Sequence, residues 1–122
     1  ILVVDDDEGV RNVLCQMLRC QNLPVKAVAD GESAVHYLSH ASPPLAFIDL
    51  IMPGINGAEV LKRARGQRPD MPVVIMSGLN RAATIEALAG EQPERILNKP
   101  FGIPEVIAVT NELMLTAAVS AN

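Results

Sequence analysis

Aromatic residues are scarce in this chain: Tyr37, Phe47 and Phe101 are the whole set, and tryptophan is absent. Proteins that stack nucleic-acid bases on aromatic rings need more of them, which disfavours that class. An excess of basic charge is also missing, because 10 Lys and Arg residues stand against 14 Asp and Glu residues and leave a net charge of -4. A nucleic-acid-binding module usually has a basic face. We therefore expect no binding of nucleic acid by this domain.

Residues that bind soft metals are few as well. Cys15 and Cys20 lie five residues apart on one predicted helix, on different faces, and this spacing suits neither a disulfide nor a metal site. We expect both to be buried thiols in a reducing cytoplasm. His36 and His40 fall on the second predicted helix and are expected to be surface residues. A run of apolar residues long enough to span a bilayer and a signal peptide are both missing, so no membrane partner is expected.

Short apolar runs alternate with amphipathic segments along the 122 residues, of which 49% are hydrophobic. The runs predict five strands at 1–4, 24–28, 45–49, 73–76 and 93–98, of which the first and the third are expected to be buried, and a helix is predicted after each of them. The nine prolines all fall at junctions or in the first turn of a helix, which supports this division. We predict an α/β fold, a flavodoxin-like doubly wound (βα)5 parallel sheet of five strands in the order 2-1-3-4-5.

The chain is expected to be a single domain, residues 1–122, cut from a longer protein. Its first residue, Ile1, already lies inside a predicted strand, and the tail from Thr116 to Asn122 is typical of the start of a linker. The first helix is expected to pack on the sheet through one apolar stripe of Val10, Val13, Leu14, Met17 and Leu18.

Polar residues stand at the ends of four predicted strands. Asp5 and Asp6 follow the first strand, Asp49 ends the third, Ser77 follows the fourth and Lys99 follows the fifth. The carboxyl ends of parallel strands meet at one edge of the sheet, where ligands bind. Carboxylates this close repel one another unless a cation is present, and oxygen ligands suit Mg²⁺. The sequence therefore predicts a Mg²⁺ site at which Asp49 could attack a phosphoryl group while Lys99 and Ser77 stabilise its charge.

Each of these features also has an ordinary interpretation by itself. The acidic run could cap the first helix, Ser77 and Gly78 could form a plain turn, and Lys99 could face solvent. Their joint placement after four strands is what favours a site.

The chain resembles the response-regulator receiver domains of two-component signalling. The matching stretches are Val3-Val4-Asp5-Asp6, Asp49-Leu50-Ile51-Met52-Pro53-Gly54-Ile55-Asn56-Gly57, Val74-Ile75-Met76-Ser77-Gly78 and Lys99-Pro100-Phe101. The resemblance implies that Asp49 accepts a phosphoryl group from a histidine kinase or phosphotransfer protein. The domain would then act on a downstream output domain or protein partner through a changed binding surface.

The resemblance also implies a set of metal ligands. Mg²⁺ would be bound by Asp6, Asp49 and the backbone carbonyl of Ile51. Asp5 would contact the ion through a water molecule. A domain of this kind is a signalling module that catalyses its own phosphorylation and slow dephosphorylation, and it is not a turnover enzyme.

The remaining implied roles concern the switch. Ser77 would contact the phosphoryl group and move with it, Lys99 would pair with Asp49 or the phosphate, and the bond between Lys99 and Pro100 would be cis. The family commonly has Tyr or Phe three residues before the lysine, where this chain has Ile96. Either Ile96 follows Ser77 by packing, or the signal leaves by another surface.

Two other functions need comparison. An aspartate-nucleophile phosphohydrolase needs a general acid two residues after its nucleophile, and Ile51 at that position cannot act as one. A degenerate receiver that binds partners without phosphorylation stays open because of Ile96. The surface around the fourth helix could form a homodimer or pack in the ordinary way; its residues are Arg81, Ala82, Ala83, Ile85 and Arg95.

Overall fold

The computed structural model describes the backbone of residues 1–121 and the side chains of residues 1–115. Five strands alternate with five helices in the order β1 (Leu2–Val4), α1 (Glu8–Arg19), β2 (Lys26–Val28), α2 (Gly31–Leu38), β3 (Ala46–Asp49), α3 (Gly57–Gln67), β4 (Val73–Ser77), α4 (Arg81–Leu88), β5 (Arg95–Asn98) and α5 (Ile103–Ala121). All strands pair in parallel, in the order β2-β1-β3-β4-β5. The predicted α/β fold and strand order are confirmed.

The sheet is covered on both faces, which explains why its central strands are apolar up to the residues that end β3 and β4, Asp49 and Ser77. Successive residues of a strand point to opposite faces. Leu2 and Val4 of β1 belong to the apolar cluster that includes residues of α2 and α3. Val3 and Phe47 belong to the other cluster, with residues of α1 and α5. Two separate cores thus hold β1 and β3 in the middle of the fold.

Helices α1 to α4 each begin at a polar cap. The capping side chain accepts a hydrogen bond from a backbone amide three residues later in each case. The caps are Asp7, Asp30, Asn56 and Asn80. Two or three residues separate α1, α2 and α4 from the strands before them, whereas seven separate α3 from β3.

Helix α5 is longer than the sequence pattern predicted. Residues 116–121 continue this helix, so the predicted start of a linker at Thr116 is wrong for them, and Asn122 lies outside the described residues. The stretch contains three alanines and neither glycine nor proline, and such a composition favours helix. Among the described residues, no helix is both long and apolar enough to cross a membrane.

Three smaller expectations also needed correction. Val13 is 48% exposed, because it lies at the edge of the buried stripe of α1 and lines an open groove beside Phe101. Cys15 is buried as expected, but Cys20 is exposed because it follows the last residue of α1. Strands β2 and β5 each begin two residues later than predicted, since a proline at the predicted start has no amide hydrogen to donate.

Candidate functional site

Asp49 is the last residue of β3 and is 6% exposed. The chain turns back directly after it: the Leu50 amide donates to the Met76 carbonyl at 2.9 Å, and the Gly57 amide donates to the Leu50 carbonyl at 2.8 Å. A Cβ atom on Gly57 would lie 2.4 Å from the carbonyl oxygen of Asp49. The start of α3 therefore packs against the backbone of Asp49, and only glycine fits at that contact.

Three carboxylates meet at this edge of the sheet. Asp5 is fully buried and Asp6 is exposed, and one carboxylate oxygen from each of Asp5, Asp6 and Asp49 lies within 4.8 Å of the others. The two oxygens of Asp5 have partners already, because Oδ1 accepts from the Asp7 amide and Oδ2 from the Lys99 ammonium, both at 2.9 Å. A donor set made only of oxygens suits a hard divalent cation such as Mg²⁺.

Lys99 bridges the two buried carboxylates. Its Nζ lies 2.9 Å from Asp5 Oδ2 and 3.2 Å from Asp49 Oδ1. Lys99 directly follows β5, and its backbone amide donates to the Ser77 carbonyl at 2.7 Å. The peptide bond between Lys99 and Pro100 is cis, as predicted. The structure thus brings Asp5, Asp49 and Lys99 into direct contact.

The electrostatics of this cluster leave an excess of negative charge. Burial raises the pKa of the Asp49 carboxyl from 3.8 to about 6, the negative charge of Asp5 adds to the rise, and the Lys99 ammonium opposes it. Burial alone would lower the pKa of Lys99, but the hydrogen bond to Asp5 and the charge of Asp49 outweigh it and raise that pKa. One ammonium therefore faces three carboxylates, and a bound cation would relieve the repulsion among them.

Ser77 ends β4 at the same edge, with its side chain 1% exposed. Its Oγ lies 2.8 Å from Oγ1 of Thr84, a buried residue of α4, and accepts a hydrogen bond from the Leu79 amide at 3.1 Å. Thr84 was not singled out in the sequence. The sequence did contain a pattern that could have identified it. Thr84 lies one turn before Leu88 in an alanine-rich helix, so it occupies a position on the buried side where an apolar residue would be expected.

The other predicted site residues lie outside this cluster of contacts. Ile51 is in the loop after β3 with its side chain 56% exposed. Ile96 is 39% exposed on β5, where its backbone pairs with Ile75. Their roles in metal binding and switching stay predictions.

Two surface predictions can be compared with side-chain exposure. His36 and His40 are exposed, as expected. In the region assigned to a possible homodimer, Ala83 is half-buried and the other four residues are exposed, and Arg95 forms an ion pair with Glu112 of α5. Dimerisation stays a prediction.

The sequence of the chain matches one protein family. The sequence model of the family described as "Response regulator receiver domain" matches residues 1–111. The chain is 32% identical over 116 residues to "Response regulator MprA" of Mycobacterium tuberculosis, covering 93% of this chain and 50% of that protein. It is 29% identical over 114 residues to "DNA-binding transcriptional regulator NtrC" of Azospirillum brasilense, covering 93% of this chain and 24% of that protein. The chain thus spans 24% and 50% of the length of these two relatives.

A solved structure agrees with these sequence matches. The receiver domain of NtrX from Brucella abortus superimposes with a TM-score of 0.86 at 26% identity, covering 94% of this chain and 98% of that one.

Proposed function

Because the chain belongs to the family of response regulator receiver domains, we propose that it is a signalling module whose Asp49 accepts a phosphoryl group. One observation supports this most. Asp49 ends the central strand with 6% exposure, shares a cluster of ligand atoms within 4.8 Å with Asp5 and Asp6, and lies 3.2 Å from the Lys99 ammonium. A candidate nucleophile, carboxylates able to hold a cation and an ammonium group therefore lie together.

In the proposed reaction an oxygen of the Asp49 carboxylate attacks the phosphorus of a phosphohistidine on a histidine kinase or phosphotransfer protein. The new P–O bond forms as the P–N bond breaks, and the leaving imidazole takes up a proton. Lys99 already touches the attacking carboxylate, so its ammonium is in place to stabilise negative charge on the transferred group. Ser77, at the end of the next strand, would donate its hydroxyl to another phosphoryl oxygen.

The proposed Mg²⁺ ligands are Asp6, Asp49 and the backbone carbonyl of Ile51. The hydrogen bonds of Asp5 support a role through water, because both of its oxygens already accept from Asp7 and Lys99. Mg²⁺ held by these residues would supply positive charge for the oxygens of the transferring phosphoryl group.

We place this reaction inside a longer regulator, because the curated relatives extend well beyond the matched part. The phosphorylated domain would act on an output domain or a separate protein through a changed surface, and a DNA-binding output is the kind that the description of NtrC names. The free thiols of Cys15 and Cys20 suit the reducing conditions of a cytoplasm, where we expect the protein to act.

The test is the intact mass of the protein after incubation with Mg²⁺ and acetyl phosphate. The expected result is one added phosphoryl group in the wild type, dependent on Mg²⁺ and absent from Asp49→Asn. Asp70→Asn, which changes an exposed carboxylate before β4, is the matched control and should still be phosphorylated. A folded wild type that gains no adduct and does not bind beryllofluoride would contradict the proposal and favour the phosphorylation-independent module.

A further inference from the structure

The hydroxyl of Ser77 belongs to a closed set of hydrogen bonds with α4 and the loop before it. The Leu79 amide donates to Ser77 Oγ at 3.1 Å, Ser77 Oγ lies 2.8 Å from Thr84 Oγ1, and the Thr84 hydroxyl donates to the Leu79 carbonyl at 3.4 Å. Ser77 and Thr84 are each 1% exposed. Water therefore has little access to either hydroxyl.

Either hydroxyl can be the donor in the short contact. The contact of Thr84 Oγ1 with the Leu79 carbonyl, at 3.4 Å, is much longer than its 2.8 Å contact with Ser77 and does not set that direction. In both directions the buried Ser77 Oγ is paired with Thr84, and moving it towards a group bound at Asp49 would break this bond.

Thr84 is held in place by its own helix. Its amide donates to the carbonyl of the cap residue Asn80 at 2.9 Å, and it lies on the buried side of α4, one turn before Leu88. If Ser77 turns towards Asp49, it must leave Thr84, and the Leu79 amide must lose its acceptor. A change at the phosphoryl site is thereby linked to the first turn of α4.

We propose that Thr84 is a positioning residue that holds the Ser77 hydroxyl away from the phosphoryl site, and that loss of this bond on phosphorylation passes the signal to α4. The inference rests on the proposed function, because it presumes that a phosphoryl group at Asp49 attracts the Ser77 proton. It supplies a route that does not need an aromatic ring at Ile96, whose side chain is 39% exposed on β5.

The variant Thr84→Val tests this directly, because valine has nearly the same shape and lacks the hydroxyl. In the unphosphorylated variant the buried Ser77 hydroxyl loses its hydrogen-bond partner, whereas in the beryllofluoride complex it would donate to the bound anion and lose nothing. Beryllofluoride should therefore bind about fivefold more tightly to Thr84→Val than to the wild type, the effect of one neutral hydrogen bond. Thr84→Ser restores the hydroxyl and should bind as the wild type does.

The experiment is a titration of each protein with beryllofluoride in saturating Mg²⁺, followed by the backbone amide resonances of residues 77–84. Thr110→Val is the matched control, because Thr110 is also 1% exposed and its hydroxyl has no hydrogen-bond partner among the described residues. The affinity for Mg²⁺ alone is measured in the same samples. A merely structural role of Thr84 would lower stability without tightening the binding of the anion.

Tighter binding confined to Thr84→Val, with unchanged Mg²⁺ affinity, would support the inference. Equal or weaker binding of beryllofluoride by Thr84→Val, in a protein that still binds Mg²⁺, would overturn the inference about Thr84. The proposal that Asp49 accepts a phosphoryl group would still stand. A wild type that neither binds beryllofluoride nor forms an adduct with acetyl phosphate would overturn the proposed function itself, and the inference with it.

Hydrogen exchange of the wild type is a second test of the inference, and it needs no variant. The Leu79 amide should exchange faster in the beryllofluoride complex, because its acceptor Ser77 Oγ has turned away. Unchanged exchange of this amide on binding would count against the release of Ser77.

Discussion

Replacement of Asp49 by asparagine should stabilise the protein in the absence of Mg²⁺, although it removes the proposed phosphoacceptor. The Asp49 carboxylate is nearly buried and shares its site with the carboxylate of Asp5. Asparagine has almost the same shape and keeps an oxygen that can accept from Lys99, which now contacts Asp49 at 3.2 Å. Lys99 also keeps its bond to Asp5. The substitution therefore removes a repelling charge without leaving the ammonium unpaired.

The size of the effect follows from the pKa of Asp49. A rise from 3.8 to about 6 means that ionisation of this carboxyl costs the folded state about 3 kcal/mol, an upper figure for the gain in Asp49→Asn. Between these two values the folded protein binds more protons than the unfolded chain. The free energy of unfolding of the wild type should therefore fall as pH rises through that window and level off above about pH 6.

The assay is urea unfolding of the wild type and Asp49→Asn in EDTA across this range of pH. The two proteins should be about equally stable below about pH 4, and the variant should gain its full advantage above about pH 6. Mg²⁺ should stabilise the wild type more than the variant, since it relieves the same repulsion. Asp70→Asn, at an exposed position, is the control and should show no such dependence. If Asp49→Asn were the less stable protein in EDTA at neutral pH, the electrostatic argument would be refuted.

Two further predictions concern the loop that holds the site. Gly57→Ala should destabilise the protein by about 2–3 kcal/mol in urea unfolding, because its Cβ would lie 2.4 Å from the Asp49 carbonyl oxygen. Gly66→Ala, at the other end of α3, is the control, because its new Cβ would meet no described atom within 4 Å. This substitution should stabilise the protein by about 0.5–1 kcal/mol. Equal effects of the two substitutions on the free energy of unfolding would contradict the packing argument. Ile51→Asn should shorten the lifetime of the phosphorylated protein several-fold, measured as loss of the mass adduct, because the exposed Ile51 cannot orient a water molecule. An unchanged decay rate would show that this position does not control hydrolysis.

The fold could be predicted because local and global signals in this chain agree. The apolar runs of β1 and β3 are buried on both faces, and Asp7 in the acidic run caps α1. Helix ends were predicted less well, since the end of α5 depends on weak propensities without a breaking residue. The exposure of Val13 depends on how α1 packs beside Phe101, which a periodic pattern alone does not contain.

The charged part of the site could also be predicted, because parallel strands bring their carboxyl ends together. Lys99 contacts both Asp5 and Asp49 because all three follow or end strands at that edge. The partner of Ser77 could not be predicted in the same way. Thr84 reaches it from a helix seven residues later, and that contact depends on the length of one loop and the rotation of α4, neither of which the strand pattern determines.

The direction in which a signal can leave follows from which groups are free to change partners. Asp5 is fully buried with both oxygens bonded, and Asp49 is held by the contact of its backbone with Gly57, so β1 and β3 offer little movement. Lys99 and Ser77 are different, because each is bonded to a group that a phosphoryl oxygen could replace. Ser77 ends β4 and Lys99 follows β5, the two strands at one side of the sheet, and Ser77 contacts Thr84 of α4. A partner that senses phosphorylation should therefore bind on that side.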